Sequence, residues 1–277
     1  MTNAAAAAAI RTVGVVGAGR MGRPIIGHMA RKGLTVVVHD IDEGKRDAVA
    51  QLGAEWAGNR AALARGDAIL VCVGYDQQLR DLLSPDGLLA DLARGTIVAV
   101  LSTVQPRTVQ ELAERASTFG VHVVDSTVCR GGRAADEGTL LSFVGGDVEV
   151  VERLTPVLAC YSTDIVHTGA VGSAQVAKAA NNLVMWACLI ADHEALALAR
   201  RFGMDVERLR DALMKSSADN YVLRHWGENT MAWAEDDMDI VQKMAQDAGI
   251  GLAQAGLNRE LCRTLKPKRF RLDEYGV

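Results

Sequence analysis

The 277 residues contain no long apolar run, no surplus of cations, no paired cysteines and no internal repeat. The longest uninterrupted apolar stretch, Leu183 to Ala191, stops at Asp192-His193. A bilayer-spanning helix needs about 20 apolar residues, so no membrane partner is expected. The formal net charge of −4 offers no electrostatic footprint for nucleic acid. The one basic run, Lys266 to Arg271, reads as a solvated tail. Cys72, Cys129, Cys160, Cys188 and Cys262 are odd in number and form no Cys-x-x-Cys pair. This argues against a disulfide framework or a zinc site and fits reduced thiols in a cytoplasm. Ala4 to Ala9 is apolar, but no basic segment precedes it, so residues 1–10 read as a disordered extension and not as a secretory core.

What is present is an ordinary globular composition, 49% hydrophobic and 23% charged, in a chain long enough for two domains. Thr12 to Val16 is a β-rich run followed directly by Gly17-Ala-Gly19-Arg20-Met21-Gly22. A helical pattern with Met21, Ile25, Ile26 and Met29 on one side comes next, then a second strand, Thr35 to His39, ending on Asp40. A Gly-x-Gly-x-x-Gly alone is weak evidence. Between a strand and a helix, with an acidic residue closing the next strand, it reads as a dinucleotide-binding turn. Gly17 permits the tight turn, Gly19 lets backbone approach a pyrophosphate, and Gly22 lets helix and strand pack closely, while the helix N-terminus offers N–H groups to the phosphates. Asp40 suits the ribose hydroxyls. Asp40 and Asp42 together would repel a 2′-phosphate, so NAD is expected over NADP; Lys45 and Arg46 either soften that preference or, as the favoured reading has it, simply begin the next solvated helix.

Further β-rich runs at 68–73, 96–101, 121–124, 140–144 and 165–167 alternate with helical stretches. The pattern predicts an α/β domain of Rossmann type with a mostly parallel sheet. Ligands of such sheets lie beyond the carboxyl ends of the strands, which singles out Ser102-Thr103 and the segment 125–132. From Gly172 the chain turns wholly helical. One long helix is expected up to Gly203, then others opened by Asp205 and covering 237–248 and 253–264. The chain therefore divides into a Rossmann domain, 11–171, and a helical domain, 172–277, joined by the long helix. The apolar residues of Val184 to Leu198 are too many for one stripe, which predicts burial on several sides and a homodimer or homotetramer. Lys178 and Asn182 stand four apart, one helical turn, so both can reach one small molecule.

With the nucleotide turn, the glycine loop 125–132 and the Lys-x-x-x-Asn helix in place, the chain resembles the β-hydroxyacid dehydrogenase family from about Val13 to Thr264. Gly172-Ser-Ala-Gln-Val-Ala-Lys178-Ala-Ala-Asn181-Asn182 is similar to the family's catalytic signature, with Ala174 where glycine is usual. Asp125 to Leu140 is similar to its substrate-binding segment, and His193 to Asp205 also follows the family pattern. The resemblance implies Lys178 as general acid/base, Asn182 orienting the substrate, Thr103 near the nicotinamide, and Cys129, Arg130 and Gly131 holding a small anionic hydroxy acid. It adds Gly17, Gly19, Arg20, Met21, Gly22, Asp40 and Val73 as the remaining cofactor set. The chemistry is coherent: oxidising an alcohol needs a base for its proton while hydride leaves for the cofactor.

Two departures bear on the substrate. Cys129-Arg130-Gly131 stands where Ser-Gly-Gly is common, and Asp236-Asp237 where Lys-Asp is common. Arg130 is expected to take an anionic group, since its planar fork suits carboxylate, sulfonate or phosphate. Two rival readings are an imine reductase on the same fold, which Lys178 disfavours, and a non-catalytic NAD-binding protein. Oxidative decarboxylation is disfavoured because the sugar-phosphate enzymes of the family are usually much longer.

Overall fold

The computed structural model describes residues 9–274. The extension expected over 1–10 lies outside the described residues as far as residue 8, and Ile10 packs against the core. Two compact units, Met1–Lys178 and Ala179–Val277, make up the chain. The division read from sequence at 171/172 falls in the loop before a helix; the units part several residues later, inside that helix.

The first unit is an α/β layer structure. Its strands are β1 (Thr12–Val16), β2 (Thr35–His39), β3 (Glu55–Trp56), β4 (Ala68–Val71), β5 (Ile97–Val100), β6 (His122–Cys129), β7 (Leu140–Gly145) and β8 (Ser162–Gly169). Its helices are α1 (Gly22–Arg31), α2 (Arg46–Gln51), α3 (Asp76–Leu82), α4 (Pro106–Thr118), α5 (Gly131–Glu137), α6 (Val148–Leu158) and the start of α7 (Ser173–Arg201). The sheet order is β3-β2-β1-β4-β5-β6-β7-β8, parallel throughout except between β6 and β7. β4 and β5 read Ala-Ile-Leu-Val and Ile-Val-Ala-Val with every residue buried, because parallel strands covered on both faces have no solvent side. Alternation then sorts the core. Val13, Val15, Leu70 and Ala99 face one layer with Ile25, Ile26 and Met29 of α1, while Ile69, Val71, Val98 and Val100 face the other with Val109 and Leu112 of α4.

β6 corrects the expected strand 121–124. It continues to Cys129 because β7 supplies an antiparallel partner, pairing Asp125 with Gly145 and Cys129 with Leu141. Cys129 therefore ends a strand and does not sit in a loop. The chain reverses through Arg130 and Gly131, both left-handed at φ 82° and 76°, into α5.

The second unit holds the rest of α7 with α8 (Val206–Leu213), α9 (Tyr221–Arg224), α10 (Ala234–Asp247) and α11 (Ala253–Leu265). Asp205 caps α8 by accepting from the Arg208 N–H. The core includes Trp186, Leu189, Ile190, Met238, Val241 and Cys262. Trp186 Nε1 donates to Asp237 Oδ2 at 3.0 Å. The basic run expected to be a solvated tail is folded in. Lys266 pairs with Glu235, Arg271 with Glu274, and Leu272 is buried. Buried His193 explains the return of this segment. Its Nδ1 donates to Leu189 O at 2.7 Å and its Nε2 accepts the Phe270 N–H at 2.8 Å, an arrangement only the neutral ring can make. Burial pushes the imidazole below its ordinary range against the opposing bond to Leu189.

By length and composition alone α7 could cross a membrane, although half of its most apolar window is buried inside the protein, as in a core helix. The several-sided burial expected for it is incomplete. Val176, Val184 and Leu198 stay exposed, and Phe202 continues their face.

Candidate active site

The glycine turn leads from β1 into α1. Gly17 has φ 98°, and a Cβ there would lie 2.2 Å from Cys72 O, while a Cβ on Gly22 would lie 2.1 Å from Gly17 O. Both contacts are with backbone, so neither position has room for a side chain. Gly19 meets nothing within 4 Å, which leaves its face open to a ligand. Beside it is a cavity of about 660 Å³ lined by Ala18, Gly19, Arg20, Arg23, Lys45 and Asp136, among others.

Asp40 closes the turn from below. Its Oδ2 accepts the Ala18 N–H at 2.7 Å and the Lys45 ammonium at 2.9 Å, and its Oδ1 accepts the Asp42 N–H at 2.9 Å. Burial works against its charge, but these donors more than offset that and keep the carboxyl below its ordinary range. Oδ1 retains acceptor capacity for a ribose hydroxyl. Lys45, read from sequence as a solvated helix start, is instead the counter-ion of Asp40. An open glycine face, a helix N-terminus, flanking cations and an ionised acceptor together suit the pyrophosphate and ribose of a dinucleotide. Arg20 reaches across to α5, pairing both terminal nitrogens with Asp136 at 2.8 and 2.7 Å and lying against Gly132. Met21 packs against the core.

A second group of residues gathers where β4, β5 and β6 end and α7 begins. Val73 donates its N–H to Ser102 Oγ at 2.9 Å. Thr103 follows, half-buried, and the peptide groups around it are held from α7: Gln175 Nε2 donates to Ser102 O at 2.9 Å and its Oε1 accepts the Val104 N–H at 3.0 Å. Asp125, fully buried, accepts the N–H groups of Gly172 at 2.7 Å and Gln175 at 3.0 Å, so it caps α7. Burial pushes its carboxyl up, opposed by those same N–H groups. Thr127 Oγ1 donates to Ala174 O at 3.0 Å. The next rung is Lys178, whose Nζ donates to Val128 O at 2.8 Å and lies 3.9 Å from Cys129 Sγ.

Lys178 and Cys129 thus meet at the end of β6, while the turns of Val73 and Thr103 are tied through Ser102 and Gln175 to the start of the helix that carries Lys178. Asn182 stands one turn further along α7, buried, its Oδ1 accepting from Asn181 Nδ2 at 3.1 Å. Arg130 departs from the expectation of a side chain available to an anion. Its guanidinium is engaged by Asp164 Oδ2 at 2.7 Å, Thr163 Oγ1 at 2.9 Å and Thr139 O at 3.1 Å. Asp236, where the family's lysine is usual, is exposed in the first turn of α10. Sequence reasoning placed Ser102 and Asp125 just after strands without giving either a role, and it passed over Gln175. A signal existed for Gln175, which lies three residues before Lys178, about one helical turn.

Residues 12–169 match the family described as the NAD binding domain of 6-phosphogluconate dehydrogenase. Residues 172–273 match the one described as NAD-binding of NADP-dependent 3-hydroxyisobutyrate dehydrogenase. The NAD-dependent L-serine dehydrogenase of Pseudomonas aeruginosa is 30% identical over 274 residues, 95% of this chain and 92% of that protein. A solved 3-hydroxyisobutyrate dehydrogenase of Mycobacterium tuberculosis with L-serine has a TM-score of 0.85 at 22% identity, over 94% of this chain and 95% of that one. An imine reductase variant from Myxococcus stipitatus in complex with NAD+ has a TM-score of 0.67 at 21% identity, over 92% and 93% of the two chains. At those two identities the structures share the fold.

Proposed function

Because this chain belongs to the β-hydroxyacid dehydrogenase family, as the matches over both of its segments establish, we propose that it interconverts a small 3-hydroxy acid and its semialdehyde or keto acid. The nicotinamide, when bound, accepts or returns the hydride. Lys178 takes the hydroxyl proton in oxidation and returns it to the nascent alkoxide in reduction. Asn182, one turn away, orients the substrate, and Thr103 borders the nicotinamide. The observation that carries this reading is the fixed amine. Lys178 is held by Val128 O at 2.8 Å on a helix start capped by buried Asp125, at the carboxyl end of a sheet strand where such folds bind ligands.

The segment Cys129-Arg130-Gly131 receives the acid group. Asp164 is exposed, so water screens its pair with Arg130, and a substrate carboxylate can exchange for it at little cost. NAD is the preferred cofactor, because Asp40 and Asp42 oppose a 2′-phosphate; Lys45, already paired with Asp40, weakens the opposition without removing it. Five thiols fit a reducing cytoplasm, and burial pushes Cys72 up to about 11 and Cys262 to about 12, which disfavours the thiolate at both. A second copy of the chain covers the exposed face of Val176, Val184, Leu198 and Phe202, giving a homodimer or homotetramer; a monomeric mass by sedimentation at micromolar concentration would exclude it.

The deciding assay follows NADH and NADPH absorbance with three- and four-carbon 3-hydroxy acids, their semialdehydes, sulfonate analogues and cyclic imines. Turnover of hydroxy acids is expected, with kcat lowered by on the order of 10³-fold or more in Lys178→Met and NADH affinity unchanged. Substantial kcat in that variant removes Lys178 from the mechanism. Turnover of imines alone establishes the reductase reading, which shares the fold but accords poorly with a lysine at this position. Binding of NADH with no turnover at all marks a non-catalytic protein.

A further inference from the structure

Gln175 is almost completely buried, 1% exposed, and is the only side chain of α7 described as bonding to the turn after β5. Its carboxamide meets one acceptor, Ser102 O, and one donor, Val104 N–H, so the orientation of the amide is fixed by its partners. The two partners are the peptide groups on either side of Thr103. The Gln175 N–H is itself bound by Asp125 Oδ2 at 3.0 Å, which ties the residue to β6 as well. Three residues on, about one helical turn, comes Lys178.

We propose that Gln175 is a positioning residue: it clamps the Thr103 turn to the first turn of the helix that carries Lys178, so that the surface facing the nicotinamide and the proton-transferring amine keep one geometry. The proposal rests on the dehydrogenase reading of Lys178 and Thr103 given above. Nothing else described at the Thr103 turn could replace the clamp. The other side-chain bonds described close by, Val73 N–H to Ser102 Oγ, Ser102 Oγ to Val71 O and Gln105 N–H to Asp76 Oδ1, tie the turn to the end of β4 and to α3 and leave the carbonyl of Ser102 and the N–H of Val104 unserved. A rate that depends on reacting atoms within a few tenths of an ångström is sensitive to such a hold.

Two variants test it. Gln175→Met removes both bonds at similar volume. Gln175→Glu keeps the shape and makes the clamp titratable: protonated, its hydroxyl donates to Ser102 O and its carbonyl accepts from Val104; ionised, it has no proton to donate and repels Ser102 O. Burial favours the protonated form, which places the change above the ordinary carboxylate range. In Gln175→Met we expect kcat to fall at least tenfold at every pH, NADH affinity to stay within threefold, and hydrogen exchange at the Val104 amide to speed up at least tenfold. In Gln175→Glu we expect kcat close to the parent at low pH and a loss as pH rises, in a titration that neither the parent nor Gln175→Met shows. Unchanged Val104 exchange in Gln175→Met, or a Gln175→Glu profile parallel to the parent, overturns the proposal. If the parent protein turns over no hydroxy acid, the dehydrogenase reading fails instead, and the exchange measurement, which needs neither substrate nor cofactor, still decides whether the clamp exists.

Discussion

The glycine turn after β1 and the junction of β6 with α7 both lie at carboxyl ends of strands in the same sheet, yet they are assembled differently. The turn is shaped by backbone. Glycines meet carbonyl oxygens, and the carboxylate that closes it, Asp40, is 22 residues from Ala18 at the end of the neighbouring strand. The junction is shaped by buried side chains that bond across 47 residues from Asp125 to Gly172 and 73 from Gln175 to Ser102. Backbone turns tolerate almost any neighbour but no change at the glycines. Side-chain junctions tolerate change in proportion to how many bonds each residue makes and how deeply it is buried.

Three substitutions break or sharpen that comparison. The largest effect is expected at the turn. Gly22→Ala sets a methyl 2.1 Å from Gly17 O, which only backbone movement can relieve, so NADH affinity should fall by about 100-fold or more, or the domain should not fold. Fluorescence titration with near-parental affinity would show that the turn is as adaptable as the junction. An intermediate effect is expected for Arg130→Ala, which removes a partly exposed guanidinium while leaving the backbone of the segment. KM for the hydroxy acid should rise about tenfold, with kcat changed far less. Steady-state kinetics with an unchanged KM would assign the acid group to other donors. The smallest is Lys45→Ala, which strips Asp40 of its counter-ion and should weaken NADPH relative to NADH by a further factor of about three to ten. Equal loss for both dinucleotides would mean that Lys45 does not read the 2′-position.

How much of this the sequence disclosed follows the same divide. The glycine turn, Asp40, the strand ends and the Lys178–Asn182 helix were legible because each is a local pattern: β-branched runs, glycines at fixed offsets, a four-residue spacing. The two-residue β3 gives no periodicity to read. The extension of β6 to Cys129 depends on its antiparallel partner β7, and pairing is not written in either strand alone. Lys45 looked like the start of a solvated helix because its partner sits on the preceding strand, and the basic run after Leu265 looked like a tail because His193, which receives it, is 77 residues away from Phe270. Arg130 stood out in sequence as a departure from the family pattern, but its pairing with Asp164 on β8 could only come from the fold.

The compact units part between Lys178 and Ala179, inside one unbroken helix. Anyone cutting the gene at the apparent linker before Ser173, to express the halves separately or to swap them among relatives, would sever Asp125 and Thr127 from the helix they hold and send the amine away with the wrong fragment. A crossover placed two or three turns into the helix would instead carry Asp125, Gln175 and Lys178 across as one inheritance. The helical half could then diverge without disturbing them.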